Sequence, residues 1–521
     1  MVIVELNKVK KIINGETLFE VDQLFVEKRA RIGLVGKNGS GKSTLINLIA
    51  EKQELEQGQI MRYGSISLLP QLKIADTSES GGEITQRYIN GTLAKKADLL
   101  LADEPTTNLD QNHIQRLLTQ LNRWKGAIIL VSHDRYFLDQ LCEQIWEIDQ
   151  KKVHVYPGNY SDYREQKQLQ IEQQKEAFAQ YIKKRKQLER ALIKKEEKAQ
   201  RATKKPKQLS SSESRIIGAK PYFAKKQKKL HQSKKAIETR LEKIDAVEKV
   251  YQEAPIKMEQ PGAKGLSGRI VFRADNLLGR IGNKVLWEPT TFQIKGNDKV
   301  AIIGNNGVGK TSLIKKLINR VEGVEFSPAI KIGYFDQKLN NLDLDQSILS
   351  YVSKNAIQSE TIIRTCLARL HFYHDDVDKP IHTLSGGERV KVSLANLLVS
   401  DVNMLILDEP TNFLDIDAIE ALESLLLAYP GTVLFVSHDQ RFIERLATKL
   451  LIIENQMIRL FPGTYHDYLH PPKDKSNYEQ RKLVLETRIS EVLGKLSIDP
   501  TEELEQEFQT LLKEKKQLLN E

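Results

Sequence analysis

The sequence predicts an α/β protein in which two copies of one mostly parallel-sheet domain are joined by a long antiparallel helical coiled coil and followed by a helical C-terminal extension. Each copy begins with an apolar strand, a glycine-rich loop and a helix; the loops are Gly36–Ser43 (GKNGSGKS) and Gly304–Thr311 (GNNGVGKT). Three later motifs, SGGE, an acidic pair and SHD, recur with a constant separation of 305 residues. Apolar strands that alternate with helical segments are typical of a parallel sheet flanked by helices.

The composition indicates a soluble chain without a membrane domain. With 521 residues, 40% hydrophobic and 28% charged, it is long enough for two or three domains with cores of their own. Apolar runs such as Leu99–Ala102 and Thr432–Val436 are far shorter than the roughly 18 residues that a bilayer requires. The N-terminus, MVIVELNKVKK, alternates like a strand and lacks a signal core. Cys142 and Cys366 are the only cysteines of the chain. We expect both to be small residues of the core, and so few cysteines favour a protein of the reducing cytoplasm.

Repeated closing motifs give the domain boundaries. Both copies end in a Pro-Gly turn, VYPGNYSDY and LFPGTYHDY. We therefore expect a first domain at 1–162, a linker at 163–262, a second domain at 263–470 and a two-helix extension at 471–521. The interval from Gln71 to Ser80 is 9 residues, whereas the interval from Gln337 to Ser385 is 48. The second domain therefore has room for a helical subdomain that is trimmed to a short loop in the first.

The linker predicts two long, basic helices. Apolar residues recur at steps of three, four and seven, as in a coiled-coil hairpin; they are Ile171, Phe178, Ile182, Leu188, Leu192, Leu230, Ile237, Leu241, Ile244 and Val247. The segment 204–222, with two prolines and a serine cluster, is predicted to be the loop at the tip. Helices of about 30 to 38 residues would reach roughly 45–57 Å. From Arg164 to Val250 there are 26 lysines and arginines against 11 acidic residues. This charge indicates a polyanion, in particular a nucleic acid, as the partner, and a solvated helical spacer is the alternative.

The glycine-rich loops predict two nucleoside triphosphate sites, in which backbone N–H groups at a helix N-terminus surround the phosphates. Lys42 and Lys310 would place an ammonium on those phosphates, and Ser43 and Thr311 would offer a hydroxyl to Mg²⁺. The first loop is Gly36, Lys37, Asn38, Gly39, Ser40, Gly41, Lys42, Ser43 and Thr44. The second is Gly304, Asn305, Asn306, Gly307, Val308, Gly309, Lys310, Thr311 and Ser312.

The remaining motifs supply the groups that hydrolysis of ATP needs. Glu104 and Glu409 are the predicted general bases that activate water, and Asp103 and Asp408, one residue earlier, are predicted to hold Mg²⁺. Further polar groups follow strand-like runs. Gln71 and Gln337 are expected to contact Mg²⁺ and the water, and His133 and His438 are expected to bind the γ-phosphate.

The combination of these motifs resembles the ABC-F family of translation-associated ATPases over essentially the whole chain. Tandem cassettes without a membrane domain, the basic helical linker and the PGNYSDY and PGTYHDY endings carry the resemblance. The architecture of the family implies head-to-tail cassettes, so that each ATP lies between one phosphate loop and the SGGE of the other cassette. Lys42 would then share a site with Ser385, Gly386, Gly387 and Glu388, and Lys310 with Ser80, Gly81, Gly82 and Glu83. The two cassettes would pair within one chain, so no obligate homodimer is expected.

The trimmed first cassette, long tip and helical tail resemble the Vga-type antibiotic-resistance branch. That resemblance implies binding at the ribosomal E site, with contacts to large-subunit RNA and P-site tRNA. It also implies protection against lincosamides, pleuromutilins and group A streptogramins. The alternatives are a housekeeping factor that rescues stalled ribosomes, the ATPase subunit of a drug exporter and a DNA-binding ATPase.

Two departures from the family pattern bear on the nucleotide sites. Ile13 and Ile281 stand where an aromatic residue often stacks on adenine, so use of GTP besides ATP is expected. The first SGGE is preceded by Glu79 and followed by Ile84, where the second has Leu384 and Arg389. The site that uses Lys310 is therefore expected to hydrolyse ATP more weakly.

Overall fold

A computed structural model of the chain describes residues 1–13, 15–69, 81–107, 109–203, 219–242, 266–282, 284–336 and 342–470, with nine scattered positions between 489 and 515. The chain divides into two compact units. The first comprises Met1–Asn108 and Ile114–Pro255, and the second comprises Leu109–His113 and Ile256–Glu521. Most of the predicted C-terminal extension lies outside the described residues.

A nine-stranded mixed sheet forms the first unit. Its strands are β1 (Val2–Ile13), β2 (Glu16–Glu27), β3 (Arg31–Gly36), β4 (Gln57–Arg62), β5 (Ile66–Leu69), β6 (Leu99–Asp103), β7 (Ala127–Val131), β8 (Gln144–Asp149) and β9 (Lys152–Pro157), in the order β4-β1-β2-β9-β8-β3-β7-β6-β5. The central strands β3, β7, β6 and β5 pair in parallel, whereas β1 and β2 form an antiparallel hairpin. Every residue of β6 and β7 is buried, which explains why these strands read as continuous apolar runs.

In the described part of the first unit, the helices are α1 (Lys42–Ile49), α2 (Gly81–Leu93), α3 (Gln111–Asn122), α4 (Arg135–Leu141), α5 (Tyr160–Thr203) and α6 (Ala219–Glu242). The helix α5 has 44 residues, more than the sequence predicted, and it begins inside the closing motif of the first domain. At about 1.5 Å per residue it is roughly 66 Å long.

The helix α6 packs along α5, and Lys234 Nζ lies 2.6 Å from Glu196 Oε1. Residues Ala219–Tyr222, which the sequence analysis assigned to the tip loop, instead form the first turn of α6. Pro221 is compatible with this because the first helical turn does not need its N–H. The rest of the tip, residues 204–218, lies outside the described residues.

The described strands of the second unit form two sheets. Its strands are β10 (Ile270–Ile281), β11 (Lys284–Lys295), β12 (Lys299–Ile303), β13 (Val324–Phe326), β14 (Ile332–Phe335), β15 (Met404–Asp408), β16 (Thr432–Val436), β17 (Lys449–Glu454) and β18 (Met457–Phe461). The three-stranded sheet has the order β11-β10-β13, and the six-stranded sheet has the order β14-β15-β16-β12-β17-β18. Strands β14, β15, β16, β12 and β17 pair in parallel, so the prediction of a mostly parallel sheet is confirmed.

The helices of the second unit are α7 (Lys310–Ile318), α8 (Ile348–Ser353), α9 (Glu360–Arg369), α10 (Gly386–Val399), α11 (Ile416–Ala428), α12 (Gln440–Leu446) and α13 (Tyr465–Leu469). Helices α8 and α9 and two short 3-10 helices occupy the long interval before Ser385, which confirms the predicted helical subdomain. The corresponding interval of the first unit, residues 70–80, lies outside the described part of the chain.

The hydrophobic cores lie between the sheets and the helices that pack on them. In the first unit a cluster joins β1, β2, β3 and α1; in the second unit, one cluster packs under α7 and another joins the large sheet to the helical subdomain. Cys142 and Cys366 are both buried and free, as predicted. No helix in the described ranges has the length and apolar character needed to cross a membrane.

Candidate ATP-binding and hydrolysis sites

The glycine-rich loops connect strand to helix at the same place in both units. Each loop ends at a glycine in the left-handed region, Gly41 with φ 101° and Gly309 with φ 107°, immediately before α1 and α7. A Cβ at Gly41 would lie 2.7 Å from Phe19 Cδ1, and one at Gly309 would lie 2.6 Å from Trp287 Cζ3. Both conformation and space therefore require glycine there, and the N-terminal N–H groups of the helix are left available for phosphate oxygens.

The lysine of each loop is folded over its own backbone. Lys42 Nζ donates to Gly36 O at 2.7 Å and to Lys37 O at 3.0 Å. Lys310 Nζ donates to Gly304 O at 2.8 Å and to Asn305 O at 3.1 Å. Burial lowers the pKa of Lys310, and the nearby carboxylate of Glu409 partly opposes this effect. The ammonium group is thus held inside the loop, where it can contact the β- and γ-phosphates of a bound nucleotide.

An aspartate ends the strand beside each loop. Asp103 is the last residue of β6, and Asp408 is the last residue of β15. Burial raises the pKa of Asp103, opposed by a hydrogen bond from Ser43, and raises the pKa of Asp408 to about 6. Thr311 Oγ1 donates to Asp408 Oδ1 at 3.4 Å. A hydroxyl and a carboxylate that are buried together fit a hard cation such as Mg²⁺, which takes oxygen ligands.

The predicted general bases share an unusual backbone conformation. Glu104 and Glu409 both have φ 50°, in the left-handed region that residues other than glycine rarely adopt. Such conformations cost free energy and cluster at active sites. The carboxylates are held alike, because His133 N–H donates to Glu104 Oε2 at 3.3 Å and His438 N–H donates to Glu409 Oε2 at 3.2 Å.

The second oxygen of each glutamate faces a histidine ring. Glu104 Oε1 lies 3.5 Å from His133 Nε2, and Glu409 Oε1 lies 3.3 Å from His438 Nε2. Within the described ranges, both Oε1 atoms are buried and accept no hydrogen bond of ordinary geometry. A buried acceptor of this kind fits a role in binding a water molecule. The structure therefore brings together Glu104 with His133 in one unit and Glu409 with His438 in the other.

The third residue of each SHD motif has a role that the sequence analysis missed. Asp134 Oδ1 accepts from Phe137 N–H at 3.0 Å and begins α4; Asp439 Oδ1 accepts from Phe442 N–H at 2.9 Å and begins α12. These N-caps fix the loops that carry the histidines. An aspartate directly before an amphipathic helical segment is a recognisable capping signal and would have identified them.

The SGGE motif is described fully in the second unit alone. Ser385 and Glu388 form a capping box at the start of α10, in which Ser385 N–H and Oγ–H donate to Glu388 Oε2 at 2.8 and 2.7 Å. In the first unit, Gly81–Glu83 belong to α2, whereas Gln71 and Ser80 lie outside the described residues, as does Gln337 of the second unit.

The two isoleucines that stand where the family pattern often has an aromatic residue, Ile13 and Ile281, end two strands. Ile13 is the last residue of β1 and is 44% exposed; Ile281 is the last residue of β10 and is 59% exposed. Either side chain offers an apolar surface to a nucleobase but no aromatic face. The use of GTP besides ATP stays a prediction.

Replacing Glu104 by glutamine should change the pH dependence of stability in the absence of nucleotide and Mg²⁺. Burial raises the pKa of Glu104 to about 8, well above the ~4.3 of an unfolded chain. Between these values the folded protein retains a proton that the unfolded chain releases, so its stability falls as pH rises. The melting temperature of Glu104→Gln should exceed that of the parent by a few °C at about pH 8.5, and by much less near pH 5.

Thermal unfolding followed by fluorescence at the two pH values measures this difference. Glu322→Gln, at an exposed position, is the matched control and should show no pH-dependent gain. An equal gain at both pH values would contradict the raised pKa of Glu104.

The chain is similar to known proteins in sequence and in fold. The family model described as ABC transporter matches residues 20–79 and 287–412. The chain is 34% identical to the ribosome protection protein VmlR of Bacillus subtilis (strain 168), over 99% of this chain and 98% of that protein. It is 33% identical to the erythromycin resistance ATP-binding protein MsrA of Staphylococcus epidermidis, over 87% and 98% of the two chains.

The solved structure of an RNase-L inhibitor shares the tandem fold. The two structures align with a TM-score of 0.57 at 18% identity, covering 88% of this chain and 90% of the other. At this identity the likeness concerns the fold alone.

Proposed function

The chain belongs to the ABC-F family of tandem ATP-binding cassette proteins, and from that membership we propose that it binds the ribosome and protects it against antibiotics that act at the peptidyl-transferase centre. The observation that carries the proposal is the similarity to a ribosome protection protein along 99% of the chain, which includes the linker. The described linker helices add a second argument. Lys194, Lys198, Lys228 and Lys229 are exposed cations of the kind that bind RNA phosphates.

The chain is an ATPase, and we assign the steps of hydrolysis to the groups at the strand ends. Lys42 and Lys310 would hold the β- and γ-phosphates, while Glu104 and Glu409 orient and deprotonate the attacking water through Oε1. Asp103 with Ser43, and Asp408 with Thr311, would hold Mg²⁺, which neutralises charge on the phosphates when bound. His133 and His438 would donate to the γ-phosphate, and Gln71 and Gln337 are proposed to contact Mg²⁺ and the water.

Each ATP is proposed to be shared by the two cassettes. Lys42 would act with Ser385–Glu388, and Lys310 with Ser80–Glu83, so that binding of ATP closes the cassettes and hydrolysis releases them. Support comes from the second SGGE, whose capping box holds Ser385 at the N-terminus of α10, a place suited to phosphate. The first SGGE is flanked by Glu79 and Ile84, which differ from the residues that flank the second SGGE. This difference favours weaker hydrolysis at the site that uses Lys310.

The linker is proposed to enter the ribosomal E site and to act on the drug site through its tip. Contacts with large-subunit RNA and P-site tRNA are proposed from its charge and from the apolar residues Ile216 and Ile217 of the tip segment, which suit unstacked bases. The proposed spectrum comprises lincosamides, pleuromutilins and group A streptogramins. The tip lies outside the described residues, so this spectrum rests on the family resemblance.

Expression of the chain in a susceptible bacterium tests the proposal. The inhibitory concentrations of the three drug classes should rise at least about fourfold, against a vector control and against a Lys42→Ala/Lys310→Ala double variant in which ATP loses the contact of the lysine. Aminoglycosides, which act elsewhere on the ribosome, are the matched drug control. Unchanged inhibitory concentrations for all three classes would overturn resistance and leave the housekeeping rescue factor as the better function.

A further inference from the structure

A buried carboxylate ties the sheet of the first unit to the root of the long helix α5. Glu147, on β8, is 6% exposed. Its Oε1 accepts hydrogen bonds from Tyr163 Oη, at 2.8 Å, and from Lys167 Nζ. Lys167 Nζ also lies 3.5 Å from Asp149 Oδ2. Tyr163 and Lys167 stand one turn apart at the start of α5. The first turns of the helix are therefore held by a charge inside the domain.

The same strand touches the phosphate loop. In the parallel pairing of β3 with β8, Glu147 lies opposite Val35 and Ile148 lies opposite Gly36, the first residue of the loop. A Cβ at Gly36, which has φ 147°, would lie 2.7 Å from Ile148 O. The backbone one residue after Glu147 thus packs against the loop with no space between them, and a shift of the loop must be felt by β8.

A second connection reaches the helix root from the histidine loop. The helix α4 begins two residues after His133, and its Asp139 carboxylate accepts from Ser161 N–H at 2.7 Å and from Ser161 Oγ at 3.0 Å. Ser161 is the second residue of α5. Both elements that would contact the γ-phosphate are therefore bonded, through one carboxylate each, to the start of the same helix.

The repeat within the chain provides an internal comparison. At the offset of 305 residues, Glu147 corresponds to Ile452, which is buried and 3% exposed, and Tyr163 corresponds to Tyr468. Tyr468 Oη donates instead to Glu454 Oε1 at 3.1 Å, in an exposed contact. The helix that follows there, α13, has five residues, whereas α5 has 44.

Isoleucine thus satisfies the packing of this strand position in the second unit, where the described helix that follows ends at Leu469. Burying a charge is costly, and replacing a buried ion pair by an apolar residue is often neutral or stabilising. The position in the first unit nevertheless carries a carboxylate, with Tyr163 and Lys167 of α5 among its partners. The stability of the fold alone does not account for a buried carboxylate at this position. A role in fixing the direction of the long helix α5 does.

We propose that Glu147 is a positioning residue that couples the phosphate loop at Gly36 to the root of α5, so that binding of ATP by the first cassette alters the conformational freedom of the first turns of the linker. The path runs from Gly36 through the paired backbone of β8 to the Glu147 carboxylate, and from there to Tyr163 and Lys167. This coupling concerns ATP and the linker alone and does not depend on the proposed ribosome function.

Hydrogen–deuterium exchange of the full chain, with and without Mg-ATP in a Glu104→Gln/Glu409→Gln background, tests the coupling. ATP should slow amide exchange at residues 160–170 by about fivefold in this parent, and by less than about twofold after Glu147→Ile, which copies the second cassette, or after Glu147→Gln or Tyr163→Phe. Peptides covering residues 36–49 should still be protected by ATP in every variant. Tyr468→Phe removes the corresponding hydroxyl of the second cassette and should retain the full response at 160–170.

Each outcome decides for or against the proposal. Retention of the ATP response at 160–170 in all three variants overturns it, as does an absent response in the parent. If Glu147→Ile also loses protection at 36–49, the conservative Glu147→Gln and Tyr163→Phe variants decide, because they keep the size of the side chain. Loss at 160–170 with protection retained at 36–49 supports the coupling, whether or not the protein binds ribosomes.

Discussion

Replacing Glu104 and Glu409 together by glutamine should leave ATP binding intact and slow ATP turnover by about 10²–10⁴-fold. Glutamine keeps the shape of the side chain and can still accept from the histidine N–H, but it cannot take a proton from water. Phosphate release and equilibrium binding of a fluorescent ATP analogue measure the two properties separately. Under the proposed function, the ATP-bound double variant should also co-sediment with ribosomes more strongly than the parent, because release requires hydrolysis.

Single variants and a surface control sharpen this experiment. If the two sites are unequal as proposed, Glu104→Gln, which affects the site of Lys42, should lower turnover more than Glu409→Gln. Glu322→Gln, exposed in the second unit, should match the parent in every measurement. Turnover that survives in the double variant would refute the assignment of the bases. Slow turnover without stronger ribosome retention would refute the release step and leave the chemistry standing.

Shortening the linker should abolish drug protection while preserving basal ATP binding. The contact between Lys234 and Glu196 places residue 190 beside residue 240 on the paired helices, so residues 190–240 can be replaced by a short Gly-Ser turn without disturbing the root of α5. The excised segment carries 17 lysines and arginines against 4 acidic residues. Ribosome affinity should therefore fall, and its dependence on salt should flatten, because fewer counterions are released.

A charge variant separates reach from electrostatics. This variant keeps the helices at full length and replaces four exposed cations by glutamine: Lys194, Lys198, Lys228 and Lys229. For every lysine that binds an RNA phosphate, the substitution should lower the slope of log affinity against log salt by about 0.7 to 0.9. Undiminished protection by the shortened chain would show that the linker is not the part of the protein that acts on the drug site.

Motif spacing predicted the fold and the residues of the candidate site because the chemistry of phosphate binding dictates both. Glycine at the loop, lysine at the helix start and a carboxylate at the strand end are each required by local geometry, so Gly41, Lys42 and Asp103 could be placed from the sequence. The shared left-handed conformation of Glu104 and Glu409 could not, because it results from tertiary packing that overrides the preference of glutamate.

The root of the linker shows a second limit of sequence reasoning. The apolar period of α5 is visible in the sequence, but its start at Tyr160 is not, since residues 160–162 belong to the closing motif that is assigned to the first domain. Glu147 lies in the strand QIWEID, where a charged residue reads as an exposed position of an alternating pattern. Its burial depends on Tyr163 and Lys167, which the pattern of the strand does not include.

The lysines of the phosphate loops give a final consequence for how nucleotide affinity should be read. Because Lys42 and Lys310 already bridge two carbonyl oxygens of their own loops, each loop is preorganised before it meets a ligand, and little backbone entropy remains to be lost on association. Truncating either lysine would remove a cation and unfasten the loop at the same time. The drop in affinity of an alanine variant would then be the sum of a missing phosphate interaction and a newly flexible receptor, and would overstate the strength of the interaction itself.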